Sequence, residues 1–412
     1  MSDFFQTGAI ATLHRLGLPN VERLEAELCE LSVETPIALV LPCHVRELGT
    51  PAVARILREL RSVRYLRQIV VGIDGADTAA KWKRARRIFG VLPQKPVLLW
   101  NDGPRMTRLL RTLARHEFSA GSPGKGRNVW LCFGCVIASE QARVIAAHDC
   151  DIVNYSRELL ARLCYPLANP NLGFDFCKGY YARVSDRLHG RVTRLLFTPL
   201  VRALKSIVGP HPLLIYLETF RYPLAGEVAM HLDQARRLRV PRDWALELGI
   251  LAEVYRNCAP RAICQAELCD NYDHKHQQLS PRDPSRGLHK VAREVAVAFL
   301  RRMSAEGVKI DASLPDTLLV AYKRHAEEAL RLYSADALIN SLEFPRHDEE
   351  LAVATFVRAI QEAARAFLAD PLDSPLSPSW DRVQAALPDF FSSFRNAVAA
   401  DNGASCADGP HI

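Results

Sequence analysis

Short apolar runs alternate with amphipathic segments over the first hundred residues. The runs at 36–45, 66–74 and 96–100 are mostly apolar and carry polar or small residues at or directly after their ends, which is typical of buried parallel strands. The segments at 50–63 and 78–90 carry apolar residues at helical spacing. Strand and helix therefore alternate. The pattern predicts an α/β fold with a doubly wound, mostly parallel sheet, whose ligand crevice lies at the carboxyl ends of the strands.

Two further apolar stretches follow. "NVWLCFGCVIA" at 128–138 predicts a strand, and "AAHDCDIVNY" at 146–155 predicts a second strand that carries Asp149 and Asp151. In an extended segment, residues two apart point to the same side, so both carboxylates would share one face. A pair of solvated surface acids is the more frequent reading of this spacing alone. The alternative is a pair that holds a cation.

The remaining chain becomes more helical. Helical periodicity predicts helices over 4–33, over 193–207, repeatedly within 286–370 and finally over 381–399. These patterns divide the chain into four predicted parts. They are an N-terminal helical segment (1–36), an α/β domain (37–285), an all-helical C-terminal extension (286–400) and a disordered tail (401–412).

Composition restricts the class of protein. The chain has 412 residues, of which 49% are hydrophobic and 24% charged, with a formal charge of +7 and eleven cysteines without a CxxC pair. Scattered cysteines in apolar runs favour buried thiols in the cytoplasm. No apolar run reaches the roughly 18 residues that a membrane-spanning helix needs, so we expect no membrane association. Arginines spread along helices, without a recognisable module, argue against nucleic acid.

Candidate chemistry is concentrated at the predicted strand ends. The glycine-rich segment at 119–130 carries Lys125; it is either a flexible loop or a loop that approaches phosphate. A sheet of this kind with Asp149 and Asp151 behind a strand resembles the GT-A type of nucleotide-sugar transferase. Such an enzyme uses a divalent cation to stabilise the departing diphosphate, and Mg²⁺ or Mn²⁺ prefers carboxylate oxygens.

Five motifs in a fixed order make the resemblance more specific. The chain resembles the glucosyl-3-phosphoglycerate synthases, which are retaining GT-A glycosyltransferases, over roughly residues 37–285. The resemblance implies transfer of glucose from a nucleotide sugar to the 2-hydroxyl of 3-phosphoglycerate, the first step towards glucosylglycerate, a compatible solute. The motifs are "KGYYAR" (178–183), "HGRVTRLLFTPL" (189–200), "YPLAGEVAM" (222–230), "WALELGILAEV" (244–254) and "DHKH" (273–276).

The resemblance also implies roles for individual residues. The metal ligands would be Asp151 and His274. The donor contacts would be Pro42, Glu47, Asp74, Lys125, Asp149 and Leu224. The acceptor contacts would be Gly190, Arg191, Thr193, Ala225 and Gly226, with Lys178 and His189 as neighbours. Glu247, beneath the transferred sugar, and Asp151 would be the catalytic residues.

Several alternatives stay open at this point. The chain writes "PCHVRE" at 42–47, where Val45 and Arg46 replace an asparagine and a glutamate of the family, so the donor is UDP-, ADP- or GDP-glucose. Mannosyl transfer, glycerate as acceptor, a sugar nucleotidyltransferase and a non-catalytic nucleotide-sugar-binding protein are the competing functions. Arg191 alone could be an ordinary helix-entry arginine, and His274 a solvated loop residue. The long helical extension predicts a homodimer.

Overall fold

The computed structural model describes residues 6, 8–17, 20–273, 278–373 and 376–403. Within these ranges eight strands form one sheet, in the order β1-β8-β6-β7-β5-β2-β3-β4. The strands are β1 (Ala11–Leu13), β2 (Ile37–His44), β3 (Leu66–Asp74), β4 (Val97–Trp100), β5 (Val144–Ala147), β6 (Phe176–Tyr181), β7 (Val228–His231) and β8 (Ile263–Cys269).

Strand direction places the chemistry at one edge of the sheet. β7 runs antiparallel to its neighbours β5 and β6, and the other neighbouring strands are parallel. The carboxyl ends of β2, β3, β5, β6 and β8 therefore meet the amino end of β7 at the same edge. Connections at this edge are free to carry binding residues, because the strands below them are a rigid base.

Helices cover both faces of the sheet. Alternate residues of β2 enter opposite cores: Leu39 and Leu41 pack on one side, and Ala38 and Val40 pack on the other. The helices are α1 (Val21–Glu34), α2 (Pro51–Leu60), α3 (Ala79–Phe89), α4 (Pro104–Arg115), α5 (Lys125–Ser139), α6 (Arg157–Ala168), α7 (Thr198–Val208), α8 (Pro212–Thr219), α9 (Leu232–Arg237), α10 (Leu246–Asn257), α11 (Gly287–Ala305), α12 (Leu314–Ile339), α13 (Arg346–Ala369), α14 (Trp380–Ala386) and α15 (Phe390–Asn402). Short 3₁₀ turns span Val45–Glu47 and Pro260–Ala262, and a π-helix spans Val192–Phe197.

The predicted α/β class, the mostly parallel sheet and the helical C-terminal region are confirmed. The predicted strand at 128–138 is wrong, because this stretch belongs to helix α5. Every residue from Gly126 to Ala138 is buried, so the helix is apolar on all sides and shows no periodicity. Period alone cannot separate such a helix from a buried strand.

The predicted strand at 146–155 is also corrected. β5 ends at Ala147, and Asp149 and Asp151 lie beyond it in irregular backbone and a turn. The helix predicted over 4–33 begins only at Val21, where the Asn20 side chain accepts a hydrogen bond from the Arg23 amide. Before it, Ala11–Leu13 form an edge strand paired with β8.

The C-terminal region folds back onto the sheet. The helix predicted over 381–399 is two helices, α14 and α15, because Pro388 cannot continue the first one. Helix α15 runs to Asn402, two residues into the predicted tail at 401–412, and the tail itself stays a prediction. The Asn402 side chain exchanges two hydrogen bonds with the backbone of Leu98 and so covers the edge strand β4. Residues 404–412 lie outside the described chain, and the boundaries near 36 and 285 stay predictions.

Two stacked tryptophans join this region to helix α5. The rings of Trp130 and Trp380 lie 4.1 Å apart and nearly parallel. The indole of Trp380 donates to the Trp130 carbonyl, and the indole of Trp130 donates to the Pro378 carbonyl. No helix within the described ranges is long and apolar enough to cross a membrane.

We expect Trp380→Ala to lower the free energy of unfolding by about 3–5 kcal/mol, because it leaves a cavity against Trp130 and removes the hydrogen bond from the Trp380 indole to the Trp130 carbonyl. Urea unfolding followed by circular dichroism measures this change. Trp244→Ala is the matched control, since its side chain is 40% exposed, and should cost below about 1 kcal/mol. Equal losses of unfolding free energy in the two variants would contradict the proposed stabilising contact between Trp130 and Trp380.

Candidate active site

A cavity of about 690 Å³ opens at the carboxyl edge of the sheet. This volume is in the range of small-molecule sites. It collects predicted residues that are far apart in the chain. The predicted residues that line it are Pro42, Glu47, Asp74, Lys125, Asp149, Asp151, His189, Gly190, Arg191, Thr193, Leu224, Gly226 and Glu247.

Lys125 lies among carboxylates that line the cavity. These residues, Asp74, Asp149, Asp151 and Glu247, are here called its acidic side. Lys125 is the first residue of α5, and its ammonium lies 2.8 Å from Asp149 Oδ2 and 2.9 Å from Glu247 Oε1. Burial acts to lower the pKa of Lys125, but the two carboxylates outweigh burial and hold it well above its usual range. The glycine-rich segment therefore delivers a permanent positive charge, together with the amino end of a helix, to the cavity.

The loop that precedes β7 approaches Asp149 closely. A Cβ on Gly226 would lie 2.4 Å from Asp149 Oδ2 and 2.8 Å from its Cγ. Glycine is therefore required for this close approach between the two loops. The contact joins the "YPLAGE" and "DCD" motifs, which lie more than seventy residues apart.

The acidic side carries more carboxylates than Lys125 alone neutralises. Burial, and then the neighbouring Asp149, raise the pKa of Asp151 to about 7. Burial also raises the pKa of Glu227, which is fully buried. The hydroxyls of Tyr181 and Tyr272, whose rings are stacked, each lie 2.6 Å from a Glu227 oxygen.

This donor set fits a divalent cation. Asp149 and Asp151 both line the cavity, and the pKa of Asp151 is raised first by burial and then by the charge of Asp149, which a bound cation would offset. Within the described residues no group of three His, Cys, Asp or Glu side chains surrounds a metal position. The predicted ligand His274 lies outside the described residues. Two protein carboxylates with substrate phosphates are a common arrangement for Mg²⁺.

At the far end of the acidic side, Asp74 closes strand β3. Burial raises its pKa, although the Asn101 side chain donates to it at 2.7 Å and Arg127 lies nearby. Arg127 also pairs with Asp102 at 2.9 Å. These contacts fix the carboxylate at the floor of the cavity, where the sequence predicted a nucleotide contact.

The cavity lining also contains three arginines, Arg183, Arg187 and Arg191, which form what is here called its basic side. Gly190 begins the "GRVT" motif with a φ of +76°, a conformation that favours glycine. Arg191 follows, and Thr193 lies within the π-helix. Arg191 Nε donates to Glu349 of α13 at 2.6 Å. The C-terminal extension therefore reaches this side of the cavity.

The predicted acceptor contact Ala225 and the predicted neighbour Lys178 lie behind the cavity wall, so the prediction that Ala225 lines the site is corrected. Ala225 and Lys178 are buried and do not line the cavity. The Lys178 ammonium donates to the carbonyl of Ala225, and burial lowers the pKa of Lys178 to about 8. Lys178 therefore supports the loop from beneath.

The structure adds lining residues that the sequence did not indicate. Arg183 was visible within a quoted motif, whereas the extension residues Leu288, Val291 and Asp348 carry no local signal of a site. The additional lining residues include His44, Asn128, Tyr181, Arg183, Arg187, Tyr222, Trp244, Tyr272, Leu288, Val291 and Asp348.

Comparisons with known proteins agree with this arrangement. The chain is 43% identical to glucosyl-3-phosphoglycerate synthase of Persephonella marina over 402 residues, which cover 98% of this chain and 99% of the relative. It is 38% identical to the enzyme of that name from Methanococcoides burtonii over 404 residues, which cover 97% and 98%. No family model matches the chain.

The fold is similar to crystal structures of glucosyl-3-phosphoglycerate synthase from Mycobacterium tuberculosis. The complex with phosphoglyceric acid has a TM-score of 0.52 and 22% identity, and covers 74% of this chain and 90% of that chain. The complex with Mn²⁺, UDP-glucose and phosphoglyceric acid has a TM-score of 0.52 and 23% identity, and covers 74% and 89%. These similarities support the GT-A fold.

We expect Lys125→Met to lower the free energy of unfolding at pH 7.5 by about 1–3 kcal/mol, because Asp149 and Glu247 are left facing each other. The raised pKa of Lys125 means that its charge, and hence this stabilisation, is fully present at that pH. Urea unfolding in EDTA measures the change.

Lys81→Met is the matched control. Lys81 pairs with Asp77 on the helix surface at 2.8 Å and should contribute below about 0.5 kcal/mol. Similar values for the two lysines would show that Lys125 is a surface charge.

Proposed function

We propose a reaction from one premise: this chain belongs to the glucosyl-3-phosphoglycerate synthase family. The chain transfers the glucosyl group of a nucleotide-glucose to the 2-hydroxyl of 3-phosphoglycerate, and the product keeps the α configuration. The observation that carries this proposal is that the lining of one cavity contains both an acidic side, with Asp149 and Asp151, and a basic side, with Arg183, Arg187 and Arg191. Each side suits one of the two substrates.

The acidic side is the proposed donor site. Asp149 and Asp151 would hold Mg²⁺ or Mn²⁺, with His274 as the proposed third protein ligand. These residues would place the ion where it could offset the charge of the departing diphosphate. Pro42, Glu47 and Asp74 are the proposed nucleotide contacts. UDP-glucose is the first donor to test, because the similar mycobacterial enzyme was crystallised with it; ADP- and GDP-glucose are the alternatives.

The basic side is the proposed acceptor site. Gly190, Arg191 and Thr193 would bind the phosphate and carboxylate of phosphoglycerate, since a guanidinium pairs with such anions through two parallel hydrogen bonds. In the loop before β7, Leu224 is a proposed donor contact and Gly226 a proposed acceptor contact, and both line the cavity. Phosphoglyceric acid is bound to the mycobacterial structure of similar fold.

Retention of configuration is proposed through front-face attack. A retaining hydrolase uses a carboxylate nucleophile on the face opposite the leaving group. The candidate carboxylate here is Glu247, but its Oε1 is engaged by Lys125 at 2.9 Å. We therefore assign Glu247 to orientation of the sugar, and the departing phosphate accepts the proton of the acceptor hydroxyl.

We further propose that the protein acts in glucosylglycerate synthesis, forms a homodimer and is located in the cytoplasm. Mannosyl transfer and glycerate as acceptor are the competing activities, and the assay below separates them.

The function is tested by a matrix of UDP-, ADP- and GDP-glucose and GDP-mannose against 3-phosphoglycerate and glycerate, with Mg²⁺, Mn²⁺ or EDTA. We expect glucosyl-3-phosphoglycerate from at least one glucose donor, only with metal, and a fall in kcat of at least about a hundredfold in Asp151→Asn. Mass spectrometry identifies the product. Metal-independent turnover, or near-normal activity of Asp151→Asn, would contradict the assignment.

We expect Arg191→Ala to raise KM for 3-phosphoglycerate by roughly ten- to a hundredfold, the value of a charge-assisted contact, and to leave KM for the donor unchanged. The preference for 3-phosphoglycerate over glycerate should shrink with it, because the discriminating charge is gone. Arg187→Ala, four residues earlier in the same loop, is the comparison variant. If Arg191→Ala instead weakened donor binding, the "GRVT" motif would bind the donor and the proposed acceptor site would be contradicted.

A further inference from the structure

Glu349, in the first turn of α13, is a buried carboxylate directly behind the proposed acceptor site. Its side chain is 3% exposed, and it does not line the cavity. Both of its oxygens are used: Oε1 accepts from Arg191 Nε at 2.6 Å, and Oε2 accepts from Arg194 Nη2 at 2.9 Å. A buried carboxylate needs such partners, because burial without them is costly.

The contact to Arg191 uses a particular part of its guanidinium. Glu349 takes the Nε–H, which is one of the five N–H donors of this planar group. Arg191 lines the cavity, with a quarter of its side chain exposed. Fixing Nε fixes the plane of the guanidinium, and the pair of Nη groups is left as the edge that can grip an anion.

Arg194 anchors the other oxygen of Glu349. Its Nε donates to the His189 carbonyl at 2.8 Å, and Nη2 donates to the Leu188 carbonyl at 3.1 Å. Its guanidinium also lies 4.9 Å from the centre of the Tyr333 ring in α12. Arg194 is buried, so this arrangement is rigid. Arg194 therefore fixes Glu349 relative to the backbone that precedes "GRVT".

A second contact joins the same two regions. Arg187 pairs with Glu343 at 2.8 Å, and the Glu343 amide donates to the Asp186 carbonyl at 2.8 Å. The connection between α12 and α13 therefore also contacts the loop that carries the proposed acceptor residues, at Asp186 and Arg187. Unlike Glu349, Glu343 is exposed at the surface.

We propose that Glu349 is a positioning residue for the acceptor: it orients Arg191 for the anionic groups of phosphoglycerate without touching them. The proposal rests on the function proposed above, and it gives the C-terminal extension a part in acceptor recognition. The gain is one of preorganisation, since a guanidinium that is already oriented loses less freedom when the acceptor binds.

Glu349→Gln is the first test, because glutamine keeps the shape and one acceptor oxygen and removes the charge. We expect KM for 3-phosphoglycerate to rise about tenfold, the lower end of the value of a direct charge-assisted contact, and KM for the nucleotide-glucose to stay within about twofold. Calorimetric titration with 3-phosphoglycerate, without donor, should show the same loss of affinity. An unchanged acceptor KM and affinity would overturn the proposal.

A double-mutant cycle separates positioning from a general structural role. If Glu349 acts through Arg191, adding Glu349→Gln to Arg191→Ala should weaken acceptor binding no further. Additive losses in the double variant would show that Glu349 acts by another route. Glu350→Gln is the matched control, because Glu350 follows directly and pairs at the surface with Arg346.

Glu349→Asp is a second test in case Glu349→Gln does not fold. Aspartate keeps the negative charge, but its side chain is too short to contact both arginines. We expect this variant to fold and to raise the acceptor KM as Glu349→Gln does. Loss of fold in both variants, with Glu350→Gln intact, would make Glu349 a purely structural residue and end the proposal. Failure of the unmodified protein to glucosylate phosphoglycerate would instead contradict the proposed function.

Discussion

The charge balance around Lys125 is the constraint on which the acidic half of the cavity depends. Asp149, Asp151, Glu227 and Glu247 meet at one edge of a sheet, and burial makes their mutual repulsion costly. The ammonium of Lys125, 2.8 and 2.9 Å from two of them, reduces that cost. Its position requires α5 to begin at the cavity and then to run entirely inside the protein. The apolar character of α5 follows from this placement, and it explains why the sequence pattern predicted a strand at 128–138.

The C-terminal extension completes the structure at two distant places. At one end, Trp380 and Asn402 cover helix α5 and the edge strand β4, so the same α5 that positions Lys125 is held in place by residues late in the chain. At the other end, Glu349 pairs with Arg191 behind the cavity. The extension therefore packs against α5, the helix that carries Lys125, and against Arg191. This agrees with the similarity to the two relatives, which spans nearly the whole chain.

Sequence reasoning succeeded where a signal was local. Strands β2, β3 and β4 were predictable because each is a short apolar run with a polar end. The motifs also predicted Gly190 and Gly226 as site residues, and both line one cavity. It failed where tertiary packing decides. Helix α5 has no polar face, so period could not identify it. Glu349 lies 158 residues from Arg191, and nothing in its local sequence separates it from the neighbouring Glu350.

The two halves of the cavity place opposite demands on two anionic substrates. The basic half needs no added cation, because Arg191 already provides a positive edge held in position by Glu349. The acidic half repels a diphosphate unless further positive charge enters with it, since Lys125 is already engaged by Asp149 and Glu247. Under the proposed function, metal requirement and donor binding are therefore one property of the acidic half. Acceptor recognition is a separate property that the helical extension sets from behind.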